Sequence, residues 1–456
     1  MRERKSVAAR LFVFYVILTF LSVPLTGFAA ADGGVFVKID TVSYVPEDSQ
    51  FGVIDYRNGI EKLFISVGFP WQESEKMAWI FPIPSDPDGV QADIVDGYIS
   101  FSGTDIVEEA GEAISDSAED FCVSYALSVA MPWFMPMIMM DMTTGLVGGT
   151  TLGGSREFGG GNGNGVTVHS HSEAGGLVLE LISATAGEGV YTYLADKGLD
   201  LAEGTVPQFD HYVREDFSFI VTWVEDSGLT LHQPGVLVRF PTERMYYPLK
   251  LTSVYGDHVV PMNVIVVDHV WPQVYWDIMS YTRVRFHDGS VYGGRDTHEL
   301  WTPEGARMSE FVASIRDSWD WEFTAVEIEA PSRVLSQDLW IDVGVPPKLA
   351  YAQAVGPLFG EVRILFFLLV FLVLSPFVGM AAGALVFGRG KEHMGRSATF
   401  GLWNLLGILG LLIWAFFPAI SNPYSAKQRL SFVVVFSIVF LAVILTLMIA
   451  AYVPLL

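Results

Sequence analysis

Long apolar runs frame a chain whose middle alternates between apolar and polar positions. Three runs without a charged residue lie near the C-terminus, at 364–387, 400–420 and 431–453. Each has the roughly 20 residues that an α-helix, rising about 1.5 Å per residue, needs to cross the hydrocarbon of a bilayer. The pattern therefore predicts a C-terminal bundle of three transmembrane α-helices.

The N-terminus has the order of a secretory signal. Four basic residues come before an apolar core at 11–28, and three alanines follow at 29–31. This order predicts a signal peptide over residues 1–31, and the length of the core leaves an uncleaved anchor as the alternative. Basic residues after the first late run favour the same orientation. We expect a multi-pass protein of the cell membrane with its large N-terminal domain on the extracytoplasmic side.

Over residues 32–350, the pattern predicts an acidic α+β domain rich in antiparallel β-strands. Early alternation of apolar and polar residues indicates strands near residues 35, 65 and 80, and a β-meander over the first hundred residues. Amphipathic patterns predict helices from Asp105 and from Pro303, and a short helix at 191–197. Further strands are predicted at 177–183, 217–223, 235–240, 247–255, 259–267, 281–286, 321–328 and 339–343.

Two unusual segments interrupt this domain. Residues 121–140 carry no charge, but they contain Pro132 and Pro136 and have acids at both borders. We expect this segment to pack against protein or the membrane surface, and a membrane crossing is the alternative. Residues 143–168 form a glycine-rich insert, which predicts a flexible linker or surface loop because ordering many glycines costs backbone entropy.

Charge and cysteine content limit the classes of function. The formal net charge is −24, and since the terminal segments 1–30 and 361–456 are positive, the residues between them carry −31. Such a surface repels nucleic acid, which excludes it as a partner, and attracts divalent cations or basic partners. Cys122 is the only cysteine. The domain therefore has no internal disulfide and depends on its apolar core for stability.

The clearest metal-ligand pattern is His169-Ser170-His171-Ser172-Glu173. On an extended chain, residues two apart share a face, so His169, His171 and Glu173 could converge on a metal ion such as zinc. The neighbouring serines and glycines equally fit a solvated loop in which these side chains bind nothing. The sequence indicates no other catalytic motif and no identifiable cofactor, so a role other than catalysis is favoured.

Three short motifs carry a resemblance to a known family. They are Ala31-Asp32-Gly33-Gly34, Ala78-Trp79-Ile80-Phe81-Pro82-Ile83-Pro84 and Tyr247-Pro248-Leu249-Lys250-Leu251-Thr252-Ser253. Over roughly residues 32–270 the chain resembles the prokaryotic exported proteins called domain of unknown function 2330. The resemblance implies that both sides of the glycine-rich insert belong to one domain, and that the chain is bacterial or archaeal. That family has no established activity, so it implies no catalytic residue.

These observations favour a protein of the prokaryotic cell envelope that is anchored in the lipid bilayer. Its outer domain would bind a partner, polymer or cation, and its helices would contact a membrane-protein partner or form a homo-oligomer. The three apolar runs contain no ionisable residue, which argues against an ion pathway through them. The alternatives are a metal-dependent extracytoplasmic enzyme using His169, His171 and Glu173, and an accessory subunit of a transporter.

Overall fold

The structure is a computed structural model of the 456-residue chain. The predicted signal peptide or anchor at 1–31, the second part of the 121–140 segment and residues 143–165 of the insert lie outside the described residues. The structure describes residues 35–37, 49–68, 77–97, 99–127, 166–197, 205–224, 231, 234–293, 303–315, 321–360, 363–416 and 424–455.

The described residues from Val35 to Leu127 form six strands and a helix. They are β1 (Val35–Val37), β2 (Ser49–Arg57), β3 (Ile60–Gly68), β4 (Met77–Ile83), β5 (Gln91–Asp96), β6 (Ile99–Asp105) and α1 (Ile106–Leu127). A two-residue turn joins β2 to β3, and its Asn58 and Gly59 both have positive φ, which is why the Asn-Gly pair is favoured there. The predicted β-meander is wrong, because β4 belongs to a different sheet from β2 and β3.

The remaining strands and helices of the β-rich region follow the glycine-rich insert. The strands are β7 (Val166–Ala174), β8 (Leu177–Ala184), β9 (Ser218–Val224), β10 (Pro234–Pro241), β11 (Met245–Tyr247), β12 (Met262–Val267), β13 (Val270–Pro272), β14 (Thr282–Gly293), β15 (Trp321–Ile328) and β16 (Leu339–Val343). The helices are α2 (Gly187–Asp196), α3 (Val206–Arg214), α4 (Trp276–Met279) and α5 (Pro303–Ile315). Since β7 begins at Val166, the last residues of the predicted insert belong to a strand.

Two large sheets pack face to face and a small third sheet closes one end of the core. Their strand orders are β1-β4-β9-β8-β7, β5-β10-β3-β2-β12-β15-β14-β6 and β11-β16-β13. Among the named strands all pairings are antiparallel except that of β2 with β12. Fully buried side chains such as Leu63, Leu179 and Val238 fill the space between the sheets, while α5 covers the outer face of the eight-stranded sheet. The predicted antiparallel α+β region is confirmed.

The strand predicted at 247–255 ends early. Only Met245–Tyr247 is extended, and Lys250–Tyr255 is a 3-10 helix. The buried Asp338 explains the change, because its Oδ1 accepts hydrogen bonds from the backbone N–H groups of Leu249 and Lys250 at 2.9 and 2.8 Å. Burial raises the pKa of the Asp338 carboxyl, and the two backbone hydrogen bonds oppose that rise.

The C-terminal part contains two helices that are long and apolar enough to cross a membrane, at Phe366–Val386 and Ala426–Leu455. The third predicted span, at 400–420, is wrong. Of its residues, 400–416 are described, and they belong to the end of one helix, a 3-10 helix at Leu402–Leu406 and a helix over Gly407–Phe416. The helices are α6 (Pro347–Phe359), α7 (Arg363–Val386), α8 (Lys391–Gly401), α9 (Gly407–Phe416) and α10 (Ala426–Tyr452).

Small residues lie at the contact between α7 and α8. A Cβ atom placed on Gly379 would collide with the carbonyl oxygen of Ser397, and one on Gly401 with that of Ser375. These glycines let α8 lie directly on α7, a close approach that is common between apolar helices. In the 3-10 helix that follows Gly401, Asn404 is buried.

The contact between α7 and α8 predicts a difference between two glycine substitutions. Gly379→Ala should lower the unfolding temperature of the full-length protein in detergent, because overpacking of this kind costs about 1–3 kcal/mol. Gly395→Ala in α8 is the matched control, since a Cβ there would meet no atom within 4 Å. Equal unfolding temperatures for the two variants would contradict the contact.

Candidate functional site

The β-rich region joins the C-terminal helices through one apolar cluster, formed by α1, α6, α7, α9 and α10 and called the helical cluster below. Helix α1 contributes a narrow buried face and turns its acids outward. The buried positions recur every three or four residues, the spacing of one helical face. They are Ala110, Ile114, Ser117, Phe121 and Tyr125.

Helix α1 begins at the edge of the eight-stranded sheet and runs beside α6. Asp105, the last residue of β6, caps α1, because its Oδ1 accepts a hydrogen bond from the backbone N–H of Val107 at 2.9 Å. Further along, the hydroxyl of Ser117 donates to the carbonyl oxygen of Phe359 in α6 at 2.9 Å. The start of α1 is therefore fixed to the sheet, and its middle is fixed to the helix that precedes α7.

The last turns of α1 pack among aromatic rings of α7 and α10. The ring of Phe121 lies 5.8 Å from those of both Phe367 and Phe371, and 6.5 Å from that of Phe440. The ring of Tyr125 lies 5.7 Å from that of Phe440. Such aromatic pairs contribute about 0.5–1.5 kcal/mol each beyond the burial of their area. The described start of the 121–140 segment is thus buried against the candidate membrane helices.

A buried polar contact lies at the end of α1. The hydroxyl of Tyr125 donates to Oδ1 of Asn404 at 2.9 Å, and Nδ2 of Asn404 donates to Oγ of Ser375 at 3.3 Å. All three residues are buried in the helical cluster. An unpaired amide there would cost about 1–3 kcal/mol. The three hydrogen-bonding groups therefore fix the relative positions of α1, α7 and the 3-10 helix at Leu402–Leu406.

The predicted ligand pattern lies on strand β7, and a β-bulge between Val168 and Ser170 divides it. Nε2 of His169 contacts Oγ of Ser183 at 2.7 Å, whereas His171 lies opposite Glu180 in the neighbouring strand. Ser183 and Glu180 are three residues apart on β8 and so point to opposite faces. The structure brings His171 and Glu173 together and places His169 on the other face. Metal binding by these three residues stays a prediction.

His171 belongs to a closed network of charged groups. Its Nε2 lies 2.8 Å from Oε1 of Glu173, and its Nδ1 lies 2.8 Å from Oε1 of Glu180. The buried Glu180 also accepts hydrogen bonds from Tyr193 and Lys197. The hydrogen bond to Glu173, followed by that to Glu180, raises the pKa of His171. Because both ring nitrogens of His171 already contact a carboxylate, neither is free for a metal ion in this arrangement.

A second histidine cluster was not visible in the sequence. His269, Asp288 and Glu322 each place one ligand atom within 4.8 Å of the other two. Long stretches of chain separate these residues, so no spacing rule indicates them. The two acids meet because β14 pairs with β15, which places Asp288 directly opposite Glu322.

The His171 network predicts a pH-dependent contribution to stability. Because the folded pKa lies above the ordinary value of 6.5, the contribution is complete below that value and is lost as the pH rises through the folded pKa. His171→Gln should therefore lower the free energy of unfolding more at pH 6 than at pH 9. Since the imidazole is half exposed, we expect about 1 kcal/mol or less.

Chemical unfolding at the two pH values tests this. The variant Glu173→Gln removes the largest cause of the raised pKa and should reduce the pH dependence. A cost of His171→Gln that is equal at both pH values, or larger at pH 9, would contradict the network.

Comparison with known proteins identifies a family. No curated protein matches the chain. Among solved structures, a mutated baculovirus P35 after caspase cleavage matches with 8% sequence identity, over 65% of this chain and 99% of that chain. Its TM-score of 0.24 is too low to indicate a shared fold. The model of one family matches residues 28–288, more than half of the chain, in agreement with the resemblance of its sequence motifs. The chain belongs to the family described as "uncharacterized protein conserved in bacteria" (DUF2330).

Proposed function

We propose that this protein is a membrane-anchored module of the bacterial cell envelope, in which an extracytoplasmic β-rich domain for binding or scaffolding is held firmly on its membrane helices. The observation that carries the proposal is the helical cluster. A simple tether needs one helix and a linker, whereas here α1 leaves the eight-stranded sheet without a linker and buries Phe121 among the aromatic rings of α7 and α10.

The outward faces of α7 and α10 support anchoring in a bilayer. Both helices bury aromatic side chains on one face and leave large apolar side chains exposed on the other, as expected where the surroundings are lipid tails. The exposed apolar residues on these two helices include Leu368, Leu369, Leu372, Val373, Phe377, Leu385, Leu430, Val434, Ile438, Leu447 and Ile449.

Contacts at the end of α10 support two membrane crossings. The hydroxyl of Tyr351 in α6 donates to the carbonyl oxygen of Ala451 at 3.0 Å, and a Cβ on Gly111 of α1 would lie 3.3 Å from the ring of Tyr452. Helix α6 precedes the first crossing, so the end of α10 has returned to the side of the β-rich domain. An even number of crossings meets this condition and three crossings do not.

The distribution of charge supports the same topology. Between Val386 and Ser431, the segment that joins the two candidate spans and the first turn of the second span together have five basic residues and one acidic residue. Basic residues concentrate in cytoplasmic loops. Three spans would divide the five basic residues between both sides of the membrane, whereas two spans place all of them in the cytoplasm. The strongly acidic domain then lies outside.

Accessibility of single cysteines tests this topology. In a Cys122→Ala background, a thiol introduced as Glu243→Cys should react with a membrane-impermeant maleimide in intact cells or spheroplasts. A thiol introduced as Glu392→Cys should react only after the membrane is permeabilised. Both positions are exposed in the folded chain. The opposite pattern, or labelling of both positions in intact cells, would contradict the proposed orientation.

The module is further proposed to act in a membrane complex, because its exposed acidic domain suits cationic or basic partners. Extraction from native membranes with a mild detergent should give a particle larger than one 50.3 kDa chain in its detergent micelle. A stoichiometric larger membrane protein in that particle would indicate an accessory subunit of a transporter. Recovery of the chain as a lone monomer, in detergent and in polymer nanodiscs alike, would contradict a stable complex.

A further inference from the structure

Three separate parts of the eight-stranded sheet bring His269, Asp288 and Glu322 to one point. His269 lies in the turn between β12 and β13, and the two acids face each other across β14 and β15. Nδ1 of His269 lies 3.4 Å from Oε2 of Glu322, and its Nε2 lies 3.7 Å from Oδ1 of Asp288. One ligand atom from each residue lies within 4.8 Å of the other two.

The backbone around His269 is held rigidly on β15. Asp268 has a positive φ of 80°, and its N–H donates to the carbonyl oxygen of Glu322 at 2.8 Å. On the other side of His269, the N–H of Val270 donates to the hydroxyl of Thr324 at 3.0 Å, and that hydroxyl donates to the carbonyl oxygen of Asp268 at 3.0 Å. The backbone of the histidine is therefore fixed before any ligand arrives, as in preorganised binding sites.

The imidazole itself has the surroundings of a metal ligand. It is buried, and its Nε2 lies 3.3 Å from the backbone carbonyl oxygen of His287. Metal-binding histidines commonly donate one ring N–H to a carbonyl group, which leaves the lone pair of the other nitrogen for the ion. In His269 that other nitrogen is Nδ1, the atom beside Glu322.

The distance from Nδ1 of His269 to Oε2 of Glu322 suits two ligands of one metal ion. Zinc bonds to nitrogen and oxygen of about 2.0–2.1 Å place tetrahedral ligand atoms about 3.3 Å apart, close to the 3.4 Å between His269 and Glu322. The network around His171 offers a contrast in the same chain, because its carboxylates have closed to hydrogen-bonding distance, 2.8 Å, on both ring nitrogens. Asp288 offers one ligand atom within 4.8 Å of the other two, and its 3.7 Å approach is to Nε2, so its exposed side chain would turn toward Nδ1 to complete the site.

We propose that His269, Asp288 and Glu322 form a surface site for a divalent transition-metal ion, with zinc as the reference ion. One imidazole and two carboxylates suit borderline ions such as Zn²⁺ or Mn²⁺. The side chains of Asp288 and Glu322 are 62% and 55% exposed, so an ion can enter from solvent and keep a water ligand. The acidic surface of the domain raises the local concentration of cations.

The position of the site connects it to the helical cluster. Asp288 pairs on its other side with Thr104 of β6, one residue before Asp105, which caps α1. A bound ion would thus crosslink β14, β15 and the β12–β13 turn at the corner of the sheet from which α1 starts. Zinc should therefore raise the unfolding temperature of the full-length protein, since it binds the folded chain.

Calorimetric titration of the chelator-treated full-length protein with ZnCl₂ tests the site. We expect saturable binding of one Zn²⁺ per chain and a higher unfolding temperature. Asp288→Asn and Glu322→Gln should each weaken binding by about tenfold or more, because each removes an anionic ligand. Both side chains are exposed, so both variants should fold, which equal unfolding temperatures without metal would verify. Glu310→Gln, an exposed acid on α5, is the matched control.

Two outcomes would overturn the proposal. One is the absence of saturable Zn²⁺ binding to the wild-type chain. The other is unchanged binding in Asp288→Asn and Glu322→Gln. If binding were instead lost in Glu173→Gln, the ion would belong to the strand β7 pattern and the His269 site would be wrong.

Discussion

One interaction fixes the position of the β-rich domain relative to the C-terminal helices. It is the burial of Phe121 and Tyr125 among the aromatic residues of α7 and α10. Helix α1 has no linker at its start, because Asp105 is both the last residue of β6 and the cap of the helix. Since β6 is paired with β14 along its whole length, any displacement of α1 would disturb the sheet at one end or the aromatic packing at the other. The contact with α6 adds a second connection of the same kind.

This arrangement reconciles the polar and apolar parts of the chain. Helix α1 carries acids on its outer face and large apolar groups on its inner face, so it is suited to a boundary between a solvated domain and apolar helices. Three polar groups that enter the helical cluster are paired with one another, through the hydrogen bonds from Tyr125 to Asn404 and from Asn404 to Ser375. Pairing is required there, because an isolated amide in an apolar interior is costly.

Local patterns predicted much of this architecture. The buried face of α1, the alternating strands and the helix from Pro303 all follow from periodicity, and the structure has them where the pattern indicates. The predicted span at 400–420 failed because hydropathy counts apolar residues and does not register the close contact that Gly401 makes with α7, nor the 3-10 helix that contains the buried Asn404. The pattern at 169–173 failed to converge because one bulged residue moves His169 to the opposite face. Neither event has a signature in a single sequence, and the meeting of His269 with Asp288 depends on strand pairing across the sheet.

The β-rich domain and the C-terminal helices should unfold as one unit because they share the helical cluster. Thermal unfolding of the full-length protein should be followed in one detergent by far-UV circular dichroism for the helices and by tryptophan fluorescence. The fluorescence reports mainly on the β-rich domain, because two of the 12 tryptophans, Trp403 and Trp414, lie in the C-terminal helices. Phe121→Ala should lower the free energy of unfolding by about 3–5 kcal/mol. Both signals should therefore shift together to lower temperature. Val123→Ala, at a position 47% exposed on the same helix, should leave both in place. If the helical signal shifted while the β-rich domain unfolded at its original temperature, the two parts would not form one unfolding unit.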